Sequence, residues 1–100
     1  MHYITLTELE SPSGTTCKLQ GLTTNILRDL ENHLTTHDMN HFNNEIQKFF
    51  EIDVQGVYVL NLLSSEFSYR VCSQSMVIEI SNIGGRADRV QKIVWTLGKQ

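Results

Sequence analysis

Residues 57–63 read VYVLNLL, the most apolar stretch of the chain, and whether they form a strand or a helix decides the fold. Apolar side chains at nearly every position, two of them β-branched and one aromatic, predict a strand covered on both faces and therefore central in a sheet. The segments that follow extend this reading. In FSYRVC (67–72) the side chains of Phe67, Tyr69 and Val71 alternate with polar ones, and MVIEI (76–80) is again β-rich. The short polar links LSSE and SQS suit a three-stranded antiparallel meander.

Upstream, HYITLTELE carries β-branched and aromatic residues, and SPSG follows it with proline and glycine at the second and fourth turn positions. TTCKLQG then offers a second short strand, so residues 2–20 read as a β-hairpin. Thr23 or Thr24 is placed to cap a helix starting near Asn25, with Ile26, Leu27, Leu30 and Leu34 at helical spacing. Met39, Phe42, Ile46, Phe49 and Phe50 form a second apolar stripe. At about 100° per residue the two stripes point roughly 135° apart, so one straight helix cannot bury both. A helical pair with its break in TTHDMN is the expectation, with Thr36 or Asp38 as the second cap.

Downstream, GGRADRVQKIVWTLGKQ has two readings. As a helix it aligns Ala87, Val90, Ile93, Val94 and Leu97 and stops at Gly98; as a strand it puts Ile93, Trp95 and Leu97 on one face. The polar residues of RADRVQK recur at helical intervals and favour the helix. Together the elements predict one compact α+β domain over residues 1–100. Its roughly five-stranded, mostly antiparallel sheet comes from the N-terminal hairpin and the central meander. A helical pair at about 24–50 and a C-terminal helix cover it.

One hundred residues with 40% hydrophobic content can bury a core without metal or disulfide staples. No apolar run approaches the ~18 residues of a membrane span, and MHYITLTELE has neither the basic region nor the apolar core of an export signal, so a cytoplasmic location is expected. Cys17 and Cys72 then read as reduced thiols buried on strands. The net charge is −3, distributed unevenly: −2 over residues 1–35, −4 over 36–66 and +3 over 67–100. The molecule is expected to be electrically polarised.

Three features invite a chemical reading. His33, His37 and His41 stand four residues apart, the spacing of a ligand stripe on one helix, with Glu45 next in line; the helix break predicted between them removes the shared face. SNIGG (81–85) with Arg86 resembles an anion-holding turn at a helix start, but lacks phosphate-loop spacing. Arg86, Arg89 and Lys92 would make a short basic ridge on a helix, while the acidic total and the brevity of the ridge argue against nucleic acid. Neither cysteine lies in an activating motif and no nucleophile elbow is present, which points away from an enzyme and calls for no cofactor.

What remains is binding. Asp38, Glu45, Glu51 and Asp53 are the candidate partner-binding residues, an acidic surface suited to a basic protein such as a nuclease or toxin. A small cytoplasmic protein-binding module of the immunity, antitoxin or phage-inhibitor type is the leading expectation. A structural or assembly module comes second, a secretion-type chaperone or a homodimer pairing through a sheet edge or the C-terminal segment. A metal sensor or enzyme using the three histidines comes third.

Overall fold

The computed structural model describes residues 2–12, 14–46, 49–83 and 85–100. In chain order the elements are β1 (His2–Ser11), β2 (Gly14–Gln20), α1 (Thr24–Thr36), β3 (His41–Asn44), β4 (Phe49–Ile52), α2 (Gly56–Phe67), β5 (Arg70–Ile83) and β6 (Arg86–Lys99). The strands form one antiparallel sheet in the order β3-β4-β2-β1-β6-β5. The α+β class and the antiparallel sheet agree with the sequence reading; the sheet has six strands and the described residues hold two helices.

The N-terminal hairpin forms as read, closing between Ser11 and Gly14. Helix α1 also starts as read: the hydroxyl oxygen of Thr23 accepts from the Ile26 amide. It ends in the predicted break. Met39 N–H reaches back to the Leu34 carbonyl and Asp38 N–H to that of Thr35, a Schellman closure in which Asp38 takes the left-handed conformation with φ 57°. Asp38 therefore stops one helix rather than starting another.

Beyond this stop the sequence reading needs four corrections. The second half of the helical pair at 24–50 is a hairpin of two short strands, β3 and β4. Its apparent stripe is not a buried face, because Phe42 and Ile46 are 59% and 93% exposed, whereas Phe50 and Ile52 alternate into the core as strand residues do. VYVLNLL lies in α2 rather than in a central strand. Val59, Leu62 and Leu63 are buried at helical spacing while Val57 and Tyr58 face outward, a pattern hidden in a run where nearly every residue is apolar. The C-terminal segment is strand β6, not a helix. Trp95 and Leu97 are buried beside the half-buried Ile93, and β1 and β5 supply hydrogen bonds on both sides that a propensity argument does not see. The two final strands of the expected meander are one strand, β5, continued through a bulge between Val71 and Ser73.

The core lies on one face of the sheet. Register sets Phe50, Leu19, Leu6 and Trp95 in a row across β4, β2, β1 and β6, and Ile52, Cys17, Glu8 and Ile93 in the next. Leu30 and Leu34 of α1 and Val59, Leu62 and Leu63 of α2 belong to the same buried cluster, so both helices cover this face. Helix α2 is fixed at its first turn. Glu8 accepts a hydrogen bond from the Gly56 amide, so a carboxylate sits at the positive end of a helix whose own N-cap residue, Gln55, makes no side-chain cap bond. Gly56 is required by close approach, since a Cβ there would lie 2.8 Å from the Trp95 ring and 2.9 Å from the Glu8 carboxylate.

Candidate functional site

The two edges of the sheet differ in length and chemistry. At one end β3 offers four residues, HFNN. At the other β5 offers fourteen, RVCSQSMVIEISNI, and no strand pairs with its outer side among the described residues. At about 3.3 Å per residue β5 runs for roughly 46 Å. This equals the longest dimension of the molecule, 45 Å.

The core rows continue outward onto β5. Val71 stands opposite Leu97, Gln74 opposite Trp95 and Met76 opposite Ile93, so Val71, Met76, Ile78 and Ile80 lie on the face that the helices cover elsewhere. The helices do not reach them. Val71, Met76, Val77, Ile78 and Ile80 are 52%, 56%, 50%, 45% and 73% exposed. An unpaired, apolar edge with two formal charges in fourteen residues carries none of the lysines or prolines that block strand addition. Among the described residues the far end also lacks a third strand. β1 pairs with β6 only from Gln91 to Lys99, so the stretch in which Glu79–Ile83 pairs with Arg86–Val90 is a two-stranded ribbon.

The opposite edge is acidic. Phe42 of β3 stands across from Glu51 of β4, and a depression at this edge is lined by Asn40, His41, Phe42, Glu51 and Asp53. Glu51 also stands opposite Lys18, whose ammonium lies 4.6 Å from the Phe49 ring centroid. Glu45 lines a different depression with Leu22, Thr24, Leu27, Arg28, Glu31 and Asn43. Asp38 occupies the exposed turn that ends α1. Of the four predicted acids, Glu51 and Asp53 are brought together, and Glu45 and Asp38 stand apart from that depression.

The histidine stripe divides as the helix break requires. His33 and His37 remain on α1 and its cap, their rings stacked at 4.2 Å, and the His37 Nδ1 lies 2.9 Å from the His33 carbonyl oxygen. His41 belongs to β3, half-buried with its ring over Phe50 and its Nδ1 2.9 Å from the Met39 carbonyl. Among the described residues no group of three His, Cys, Asp or Glu side chains is placed to hold a metal ion. The anion-turn reading of SNIGG falls partly on Gly84, which is outside the described residues; the flanking elements are β5 and β6, so the turn adjoins no helix start. A basic ridge at three-residue spacing also needs a helix. On β6, Arg89 and Lys92 belong to opposite faces of the sheet.

Both cysteines are free and on strands, but they are not alike. Cys17 is fully buried, its thiol donating to the Val54 carbonyl at 3.2 Å, and burial followed by the charge of Glu8 pushes its pKa up to about 12. Cys72, expected to be buried, is exposed at the β5 bulge. No helix among the described residues is long and apolar enough to cross a membrane. Compared with known proteins, the chain matches no family model and no curated sequence. The sequence signal for the β5 edge was the strand character of FSYRVC and MVIEI. What it lacked was the sheet order that leaves them outermost.

Proposed function

We propose that this chain is a non-catalytic, cytoplasmic protein-binding module whose working surface is the β5 edge, which takes up another chain as an added strand. The observation that carries the reading is the continuation of the core's apolar rows onto an edge strand whose outer side no strand pairs and whose apolar side chains stay exposed, among the described residues. Strand addition supplies main-chain hydrogen bonds for affinity, and the alternating side chains supply selectivity. The dispersal of the reactive groups supports binding over catalysis: the Cys17 thiol is buried and held protonated, and the histidines serve backbone carbonyls and ring stacking.

The test is quantitative capture from the native cell, with the full chain as bait and mass spectrometry as readout. Ile78→Lys with Ile80→Lys is expected to remove the main bound chain, whether another protein or untagged copies of this one. Undiminished capture by that variant would sink the edge reading.

A second reading, inhibition of a basic nuclease- or toxin-like partner, is favoured by one observation: exposed Phe42 beside Glu51 and Asp53 joins an aromatic anchor to an acidic rim. Under it, Glu51→Lys with Asp53→Lys abolishes capture of a basic protein and Glu45→Lys and Asp38→Lys weaken it less. Equal effects at all four positions would contradict the grouping.

A further inference from the structure

We infer that the occupant of the β5 edge is a second copy of this chain, with the two β5 strands antiparallel about a two-fold axis normal to the sheet. The inference rests on the edge reading above and adds the identity of the partner. Such an axis keeps the helix-covered faces of both copies on the same side. Met76, Ile78 and Ile80 of one protomer then meet the same residues of its partner in the gap between the two helical layers, where each is now exposed. Identical strands paired antiparallel set residues of like orientation opposite one another, so an apolar set on one face is self-complementary.

Length and closure select a second copy over the alternative of β5 adding to the β3 edge of a neighbour. Fourteen residues against four would leave most of β5 bare. That head-to-tail contact would also not close on itself, and would propagate into a filament. The two-fold arrangement instead consumes both long edges at once and leaves only the short polar β3 strand at each end of a continuous sheet with six strands from each copy. It also gives the two-stranded ribbon at Glu79–Ile83 a third strand, and an isolated pair of strands is marginal in water.

The experiment is sedimentation or light scattering of the full, untagged chain across concentration, with Ile78→Lys/Ile80→Lys and, separately, Met76→Lys as variants. The expected mass is twice 11.5 kDa for the native chain and 11.5 kDa for both variants, with unchanged far-ultraviolet circular dichroism. The second variant guards against loss of fold in the first. A native chain that stays at 11.5 kDa up to about 1 mM overturns the second-copy inference. It leaves the edge reading standing, because the capture experiment tests that separately. A dimer that survives both variants with fold intact puts the interface elsewhere and overturns both.

Discussion

The β3 and β5 edges end the same sheet in opposite ways. β3 is four residues long, polar at three of them, and shielded by its shortness; β5 is fourteen residues long, apolar on the face that continues the core, and open. The contrast arises from where the helices stop. Helix α2 begins against Trp95 and Glu8, on the two strands beside β5 in the sheet, and Val71, Met76, Ile78 and Ile80 stay exposed beyond the helical cover. A chain that buries Trp95 and Leu97 but leaves Met76, Ile78 and Ile80 in water carries apolar side chains past its own cover, which is the ground for the proposed pairing.

The largest expected difference between the middle of the sheet and its open edge is in thiol chemistry. Cys17 in β2 and Cys72 in β5 are the same side chain in the two settings. A thiol reagent at pH 8 is expected to label Cys72 readily and Cys17 only after unfolding, a rate ratio on the order of a thousand or more. The same burial carries a pH dependence. The folded-state pKa of Cys17, about 12, is raised above its ordinary 9.0, so its contribution to stability is fully present below pH 9 and is lost as pH rises toward 12. The loss is at most about 1.4 kcal/mol per pH unit. Denaturation across that range, compared with Cys17→Ala, checks it. Two equally reactive thiols in the folded chain would contradict the assignment of middle and edge.

Next in size is the contact that positions α2. Gly56→Ala is expected to cost about 1–3 kcal/mol, because the added methyl meets the Trp95 ring and the Glu8 carboxylate at under 3 Å. Urea denaturation reads the loss, and a neutral outcome would show that α2 is not held where the cover of β5 ends. At the β3 side, Asp38→Gly relieves a left-handed non-glycine residue at the α1 stop and is expected to raise stability by up to about 1 kcal/mol. The melting temperature checks it, with the reservation of Asp38 as a candidate partner contact tested separately by capture. The smallest effect is expected at the open edge. In dilute solution, Ile78→Lys with Ile80→Lys should change the stability of the single chain by less than about 0.5 kcal/mol per substitution, as surface substitutions do. A loss above about 2 kcal/mol would mean that these side chains are already packed within one copy.

How much of this was legible in the sequence follows from what each segment depends on. The N-terminal hairpin and α1 are specified locally, by the SPSG turn, the Thr23 cap and the spacing of Ile26, Leu27, Leu30 and Leu34. The end of α1 was legible as well, although Asp38 closes that helix where it was read as opening the next. VYVLNLL could not be read, because a run apolar on all sides has no period to distinguish a buried helix from a buried strand. β6 shows the converse: its apolar residues fit both periods, and only pairing with β1 and β5, far away in sequence, settles it. The candidate sites divide along the same line. The acids were visible one by one, but which of them share a depression depends on the β3–β4 hairpin, which was read as helix. The strand character of β5 was visible, and its place at the edge follows from sheet order, which no local pattern encodes.

The central claim is that β5 is paired along its outer side by a second copy of this chain. Hydrogen exchange resolved to single amides over residues 70–83 tests this most directly, run on the full chain at low and at high concentration. The N–H groups bonded to β6 should be slow at both concentrations. The account predicts that the intervening outward N–H groups exchange fast when the chain is dilute and slow markedly when it is concentrated, with the Ile78→Lys/Ile80→Lys variant fast throughout. Outward amides whose exchange is the same at every concentration would contradict pairing of two copies along this edge.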